Sequence, residues 1–258
     1  MQNIINIQDI KTGLSSEFKN LPITILEETD STNNVARKCI MEKESTGLIL
    51  ARHQTNGRGR NGHSFFSPKD SGIYMSYFYT PENGLVGAEK VTTKAAVSVS
   101  EALEYLYGET FNIKWVNDIY YQKKKVAGIL TEAITCGVNK GSVIVGIGIN
   151  YSEASLPSDI RDIATFLPNK KEISQSTIVS EILNRLIPLI NAKDDCYVNQ
   201  YRSHLLYVGS DVTFMEKENK IKATIIDIDD SCGLIVRLSD NSLRTIKNGE
   251  VSLLRPSP

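Results

Sequence analysis

Glycine and arginine alternate within residues 54–67, and this combination suits an anion-binding loop. The glycines are Gly57, Gly59 and Gly62, and the arginines are Arg58 and Arg60. Glycine exposes backbone N–H groups, while arginine carries a permanent charge and a planar fork of donors that fits carboxylate or phosphate. No aspartate or glutamate lies between Glu44 and Asp70, so no neighbour in sequence neutralises the arginines. Taken alone, this stretch is equally consistent with an anion site and with a mobile, solvated loop.

A second candidate is the pair Asn117-Asp118, which follows Lys114-Trp115-Val116. Asparagine and aspartate are poor strand residues, yet strands are predicted on both sides of them. One interpretation is an ordinary turn. The other is a ligand site in which Asp118 binds a divalent cation and Asn117 contacts a phosphate, because Mg²⁺ commonly combines one or two carboxylates with phosphate oxygens. Trp115 by itself indicates core packing rather than a stacking surface.

Two further stretches combine strand patterns with glycine. Residues 123–130 read Lys-Lys-Lys-Val-Ala-Gly-Ile-Leu, and residues 146–150 read Gly-Ile-Gly-Ile-Asn. A lysine run at a hairpin tip is usually solvated, but Lys125 adjoins the apolar strand and would point inward to meet a phosphate charge. Glycine weakens a strand, so Gly128 indicates the close approach of a ligand or of backbone. Gly146 and Gly148 indicate either a groove with exposed backbone or a bulge at the end of the sheet. No helix directly follows residues 146–150, so they are not a dinucleotide-binding fingerprint.

The elements that must position these residues follow an α+β pattern. Hydrophobic periodicity predicts strands and helices in the order 23–26, helix 33–43, 47–51, 72–80, helix 91–108, 112–116, 119–122, 126–135, 142–150 and helix 176–206. The last four of these strands follow one another through hairpin turns at 123–125 and 137–141, which favours a mixed sheet over a dinucleotide-binding fold. Pro188 is predicted to kink or split the final helix. Residues 1–22 are predicted to form a short lead-in.

The pattern changes after Gly209. Five short strands are predicted at 212–214, 221–228, 234–238, 243–246 and 251–254, separated by turn-forming residues. About 50 residues of this kind are typical of a small SH3-like β-barrel. We therefore predict two domains, residues 1–207 with the candidate chemistry and residues 208–258 as the barrel.

The bulk properties exclude several classes of function. The chain has 258 residues and a formal net charge of −1, which argues against a general electrostatic grip on nucleic acid or membranes. Its four cysteines form no CxxC pair and its three histidines lack metal-ligand spacing, a pattern typical of a reducing compartment without a sulfur-based metal site. The chain shows no signal-peptide pattern and no apolar run near ~18 residues. We predict a cytoplasmic protein.

Five motifs, in this order, resemble those of the biotin–protein ligases. They are Asp30-Ser31-Thr32-Asn33, Gly57-Arg58-Gly59-Arg60-Asn61-Gly62, Lys114-Trp115-Val116-Asn117-Asp118, Lys125-Val126-Ala127-Gly128-Ile129-Leu130 and Gly146-Ile147-Gly148-Ile149-Asn150. The resemblance covers residues 27–254 and implies a catalytic domain of the class II aminoacyl-tRNA synthetase type followed by an SH3-like barrel. It implies that ATP and biotin form biotinyl-5′-adenylate, and that biotin then passes to one lysine of a biotin carboxyl carrier protein domain of a carboxylase.

The resemblance also implies the roles of individual residues. Biotin would be bound by Ser31, Thr32, Asn33, Gln54, Gly57, Arg58, Lys125, Gly128, Leu130 and Gly146. ATP would be bound by Arg60, His63, Phe65, Trp115, Asn117, Asp118, Lys125 and Asn150. Arg60 and Lys125 would be catalytic, stabilising charge in both steps, and Asp118 would hold the Mg²⁺ that accompanies ATP.

Three positions depart from the family pattern. His63 and Phe65 stand where the family loop usually has a basic residue and a tryptophan, and Val116 replaces the usual proline. Histidine is mostly neutral at pH 7, so it is a weaker phosphate partner than arginine, and phenylalanine stacks on adenine with less area. About 29 residues precede the first motif, too few for the helix-turn-helix of some bacterial members, so we expect no DNA binding.

Two other functions remain open at this point. A lipoate–protein ligase shares the fold and the adenylation chemistry, although the Gly-Arg-Gly-Arg loop and the C-terminal barrel favour biotin. A nucleic-acid-binding module would use Arg58, Arg60 and the lysine run, although such domains are usually basic. Homodimerisation also stays open, because an edge of the mixed sheet offers a place for a second copy or for a strand of the carrier domain.

Overall fold

The computed structural model describes residues 5–135, 141–154, 156–169, 173–192, 195–216, 219–247, 249 and 251–253. A mixed sheet is built from β1 (Ile23–Leu26), β2 (Thr46–Ala51), β3 (Gly72–Tyr79), β4 (Asn112–Lys114), β5 (Asp118–Tyr121), β6 (Lys124–Thr135) and β7 (Gly141–Asn150). The strand order is β1-β2-β3-β7-β6-β5-β4. β1 and β2 are parallel and the other neighbours are antiparallel. This arrangement places the candidate residues of β6 and β7 side by side at the centre of the sheet.

Helices cover both faces of this sheet. They are α1 (Ile7–Gly13), α2 (Thr32–Met41), α3 (Val91–Tyr107), α4 (Gln175–Asn191) and α5 (Tyr197–Ser203). Leu48 and Leu50 of β2 join the core that contains α3 and α4, whereas Ile49 packs with Ala36 and Ile40 of α2. Successive strand residues point to opposite faces, so a sheet buried on both sides needs an unbroken apolar run. β2 meets this requirement with the apolar run Leu48-Ile49-Leu50-Ala51.

The structure refines two local predictions about the helices. The predicted lead-in contains α1, which Asn6 caps by accepting a hydrogen bond from the Asp9 N–H at 2.8 Å. Asn184 of α4 donates to the Gly13 carbonyl at 2.9 Å, so tertiary contacts with α4 hold this short helix. The final helix is split, as predicted, but not at Pro188: α4 continues through Pro188 to Asn191, and α5 begins at Tyr197. Residues 137–140 of a predicted hairpin turn lie outside the described residues.

The C-terminal part is an antiparallel sheet of β8 (Asp211–Glu216), β9 (Asn219–Ile228), β10 (Leu234–Leu238), β11 (Leu243–Ile246) and β12 (Val251–Leu253), in the order β11-β10-β9-β8-β12. Arg244 of β11 lies 2.7 Å from Glu216 of β8, so an edge strand curls back toward the far side of the sheet. The predicted α+β class, a mixed sheet followed by a small β unit, is confirmed. Among the described residues, no helix has the length and apolar character needed to cross a bilayer.

Candidate functional site

The loop at 54–67 covers a cavity of about 220 Å³ over β6 and β7. The cavity wall contains most of the predicted site residues, namely Ser31, Thr32, Asn33, Gln54, Arg58, Arg60, His63, Phe65, Trp115, Asn117, Asp118, Lys125, Gly128, Leu130 and Gly146. Two predicted residues, Gly57 and Asn150, instead line a second cavity of about 710 Å³. Gln54, His63, Phe65 and Lys125 line both cavities, so the two spaces meet at these side chains. Residues from five separate motifs therefore converge, although their individual roles stay predictions.

One wall of the first cavity is a network of buried polar groups at the start of α2. Gln54 accepts from the Thr32 backbone N–H at 2.9 Å and donates to Ser67 Oγ at 3.0 Å. The Ser76 hydroxyl lies 2.6 Å from Asn33 Oδ1 and 2.7 Å from Thr32 Oγ1 and can donate to either oxygen. Buried polar groups that are satisfied in this way stay ordered. Hydrogen bonds within the protein thus fix the polar wall.

Asp30 supports the first turn of α2 from just outside the helix. It accepts hydrogen bonds from the Asn34 side chain at 2.6 Å and from the Ser31 N–H at 2.7 Å. These bonds favour the carboxylate and, with Asn34 as the larger cause, lower the pKa of Asp30. Ser31 occupies the N-cap position, but its side chain makes no capping hydrogen bond and lines the cavity instead.

The glycines of β6 and β7 make room for side chains of the site itself. A Cβ added at Gly148 would lie 2.6 Å from the Phe65 ring, and one added at Gly146 would collide with Asn33. A Cβ at Gly128 would lie 3.0 Å from Lys125 Cε. The sequence predicted a bulge or the approach of a ligand at these positions. The structure places protein groups against all three. A side chain at Gly146 or Gly148 would collide with Asn33 or Phe65, whereas one at Gly128 would require only a small shift of the Lys125 side chain.

Four polar side chains form the opposite wall. Lys125 Nζ lies 2.7 Å from Asp118 Oδ1, and Asn117 Nδ2 lies 3.2 Å from the same oxygen. Arg60 Nη1 donates to Asn117 Oδ1 at 3.1 Å. Asn117 also donates to the Ile129 carbonyl at 2.9 Å, which fixes its amide on β6. One wall therefore carries two cations and a single carboxylate, so it has a net positive charge for an anionic ligand.

Arg58 points away from this wall. Its guanidinium donates to Asn34 Oδ1 at 2.6 Å and lies 3.4 Å from Glu132 Oε2. The sequence predicted two arginines without a neighbouring carboxylate, and this holds only along the chain, because Glu132 of β6 reaches Arg58 in space. The two arginines of the loop therefore have different partners: Arg58 contacts Asn34 and Glu132, whereas Arg60 contacts Asn117.

Residues that are distant in sequence hydrogen-bond to the segment just before Asn117 and Asp118 and hold it in place. Tyr201 of α5 donates to the Val116 carbonyl at 3.2 Å, and the Trp115 indole donates to the Cys232 carbonyl at 2.9 Å. Burial raises the pKa of Tyr201 well above its usual value, so this hydroxyl remains a donor. Val251 of β12 also lines the first cavity. These supports were missed because long-range contacts leave no local sequence signal.

The second cavity has a wall from residues 157–164, which the sequence left unassigned. This segment pairs with the start of β6, because the Lys125 N–H donates to the Ile163 carbonyl and the Thr165 N–H donates to the Lys125 carbonyl, both at 2.8 Å. Asn150 donates to the Thr165 carbonyl at 2.9 Å. The segment therefore closes one side of the space beside Phe65 and Asn150.

Among the described residues that line the first cavity, Asp118 is the one carboxylate. The described residues contain no group of three or more histidine, cysteine, aspartate or glutamate side chains that could hold an ion by themselves. Asp118 offers one carboxylate, which fits a Mg²⁺ that brings phosphate oxygens as its other ligands. This donor suits a cation that brings oxygen ligands of its own.

Comparison with known proteins gives a consistent family assignment. The model of the biotin/lipoate A/B protein ligase family matches residues 25–150, and that of the biotin protein ligase C-terminal domain matches residues 207–254. The chain is 31% identical over 204 residues to the bifunctional ligase/repressor BirA of Bacillus spizizenii, covering 77% of this chain and 59% of BirA. It is 27% identical over 263 residues to the biotin–[acetyl-CoA-carboxylase] ligase of Mycobacterium tuberculosis, covering 97% of this chain and 95% of that ligase.

Solved structures agree with this assignment. The biotin protein ligase from Aquifex aeolicus in complex with biotin and ATP superposes with a TM-score of 0.72 and 29% identity, covering 91% of this chain and 99% of that chain. A mutant of the same protein in complex with biotin gives a TM-score of 0.72 and 30% identity, covering 91% and 98%. By contrast, the chain spans 59% of the length of the Bacillus BirA relative.

Proposed function

This chain belongs to the biotin/lipoate A/B protein ligase family, and we propose that it is a biotin protein ligase that forms biotinyl-5′-adenylate and transfers biotin to a lysine of a carrier domain. The observation that carries this proposal is the wall of Arg60, Asn117, Asp118 and Lys125 beside the polar pocket of Ser31, Thr32 and Gln54. A carboxylate and a triphosphate repel each other, so joining them needs cations next to a pocket that fixes the acid.

In the first step a carboxylate oxygen of biotin attacks the α-phosphorus of ATP. A new O–P bond forms, the bond to the β-phosphate oxygen breaks, and pyrophosphate leaves with its electron pair. Negative charge spreads over the α-phosphate oxygens, where Arg60 and Lys125 stabilise it. Lys125 is paired with Asp118 beforehand, so an incoming phosphate takes over a cation that is already in place.

In the second step the neutral ε-amine of the acceptor lysine attacks the acyl carbon of the adenylate. The new C–N bond forms, the acyl C–O bond breaks, AMP leaves, and the proton of the amine passes to solvent. The same cations stabilise the phosphate of AMP as it departs. The protein supplies position and charge and forms no covalent bond with the substrate.

The triphosphate is assigned to Arg60, Asn117, Asp118 and Lys125, next to Trp115. The base is assigned to the junction of the two cavities, beside Phe65, Asn150 and His63. Mg²⁺ at Asp118 would neutralise phosphate charge. The polar pocket, with Asn33, Gly57, Arg58, Leu130 and the glycines Gly128 and Gly146, is assigned to biotin. The loop covers this pocket and would protect a water-sensitive mixed anhydride.

Transfer to a purified carrier domain tests the proposal. Full-length protein is incubated with Mg²⁺, ATP and biotin together with the domain, and the mass of the domain is measured. We expect a mass increase of one biotinyl group that is lost when the acceptor lysine is changed to arginine. The rival lipoate ligase is tested in parallel with lipoate in place of biotin. Modification by lipoate and not by biotin would overturn the proposal in favour of the rival.

The proposal also covers the domain boundaries, the location of the protein and its macromolecular partners. The domains are assigned as residues 1–207 and 208–258, and a reducing, cytoplasmic setting fits the free thiols of Cys39 and Cys232. DNA binding is not expected, and a gel shift that depends on sequence would refute this. A second copy or the carrier strand is assigned to β1, because β4 is already paired with Leu205 through Ile113.

A further inference from the structure

Glu132 is a charged side chain near the end of β6 that the proposed chemistry does not use. Its carboxylate accepts from Arg37 Nη2 at 2.9 Å and from Asn33 Nδ2 at 2.7 Å, and it lies 3.4 Å from Arg58 Nη2. Asn33 and Arg37 belong to α2, whereas Arg58 belongs to the loop. One carboxylate therefore joins three elements, namely strand β6, the helix that begins the polar pocket, and the loop that covers it.

The contact between Arg58 and Glu132 restrains a part of the loop that has few other restraints. Arg58 is adjacent to Gly57 and Gly59, which have few conformational restrictions of their own. Its other contact is Asn34 Oδ1, again on α2, at 2.6 Å. If Arg58 were released, the residues on either side of it would lose their anchor to α2. Arg60 lies two residues further along and faces the opposite wall.

Glu132 also neutralises the charge of two neighbouring arginines. Arg37 and Arg58 share this one carboxylate, whose side chain is 19% exposed. Without it, two guanidinium groups would face each other in a partly buried position, which is unfavourable. Arg58, which lines the first cavity, would then turn toward solvent or toward the cationic wall on the other side of that cavity. Glu132 thus keeps the cation of Arg58 separate from the cationic wall at Arg60 and Lys125.

We propose that Glu132 is a positioning residue: it holds Arg58 against α2 and so stabilises the loop in the position that covers the polar pocket. This inference rests on the proposed function for its effect on biotin, but the anchoring itself does not depend on activity. Preorganised loops improve binding because less order has to be gained at the moment of association. The expected effect is therefore on biotin binding and on loop order, and much less on the turnover of bound substrate.

Glu132→Gln keeps the size of the side chain and removes its charge. We expect the KM for biotin in pyrophosphate exchange to rise about tenfold while kcat stays within about twofold, since the loss is one of preorganisation. Trypsin should cut after Arg58 and Arg60 about fivefold faster in the ligand-free variant, because local opening becomes easier. Arg58→Gln should raise the KM for biotin by a similar factor, and the double variant should be no worse than either single variant.

Arg37→Gln is the matched control, because it removes the other guanidinium from the same carboxylate without touching the loop. It should leave the KM for biotin and the cleavage rate within about twofold of wild type. If Arg37→Gln reproduces Glu132→Gln, or if Glu132→Gln changes neither biotin KM nor cleavage, the proposal is overturned. If Glu132→Gln does not fold, Arg58→Gln decides by the biotin KM and by cleavage after Arg60 alone, because this variant has no trypsin site at residue 58. A wild type without biotin-dependent exchange would refute the proposed function, while the cleavage rates still test the anchor.

Discussion

The ammonium group of Lys125 lies 2.7 Å from the carboxylate of Asp118, and both side chains line the same cavity. Each is only partly exposed, with 31% of the lysine side chain and 20% of the aspartate side chain accessible. The ion pair holds the Lys125 ammonium group next to the place where phosphate charge is proposed to develop. It also implies that a nucleotide exchanges one anionic partner of Lys125 for another, rather than meeting an isolated charge.

The first prediction concerns Lys125 itself. Lys125→Gln should lower kcat of biotin-dependent pyrophosphate exchange by about 10²–10³-fold, which is the usual loss when one group that stabilises developing charge is removed. Lys124→Gln is the control, because the neighbouring lysine contacts the Arg161 carbonyl outside both cavities. Its exchange rate should stay within about twofold of wild type. Equal losses in the two variants would contradict the assignment of Lys125.

The second prediction concerns the metal. Asp118→Asn keeps the shape of the side chain and removes its charge, so the Mg²⁺ concentration for half-maximal exchange should rise about tenfold. The free ATP concentration must be held constant during the Mg²⁺ titration. An unchanged Mg²⁺ dependence, with activity lost for other reasons, would remove Asp118 from the metal site.

The third prediction uses the contact between Gly148 and Phe65. Gly148→Ala places a methyl group 2.6 Å from the ring, so the ring has to move. We expect the KM for ATP to rise about fivefold, because Phe65 is assigned to the base and overpacking displaces it. Phe65→Leu in the same chain should relieve the collision and recover part of the thermal stability that Gly148→Ala loses. A Gly148→Ala variant with wild-type KM for ATP would show that Phe65 does not face the nucleotide.

The fourth prediction is a loss of stability at alkaline pH. Burial raises the pKa of Tyr74 and of Tyr79 to about 12. In the unfolded chain both phenols titrate near ~10, so above that pH the unfolded state binds fewer protons than the folded state. The free energy of unfolding should therefore be fully present below about pH 10 and fall as pH rises toward about 12, by about 1.4 kcal/mol per pH unit for each such tyrosine. Urea titrations at about pH 8 and about pH 11 measure this, with tyrosinate absorbance as the monitor. A constant unfolding free energy would contradict it.

The sequence predicted the fold class and most of the cavity residues, because periodicity and motif order are local signals. It did not predict the partner of Arg58, since Glu132 lies 74 positions away and reads as an ordinary strand residue. The sequence also indicated only a lead-in for residues 1–22. α1 is too short to show a clear helical periodicity, and its stability comes from contacts with α4. Gly146 and Gly148 were identified as unusual, but only the folded structure shows that Asn33 and Phe65 occupy the space beside them.

The most direct test of the central claim is pyrophosphate exchange into ATP by the purified full-length protein, with biotin, with lipoate and without an acid. The account predicts exchange that requires both Mg²⁺ and biotin, is absent with lipoate, and is almost abolished in Lys125→Gln and in Arg60→Gln. Exchange that proceeds without biotin, or that survives in both variants, would contradict the claim that the Arg60–Lys125 wall joins biotin to ATP.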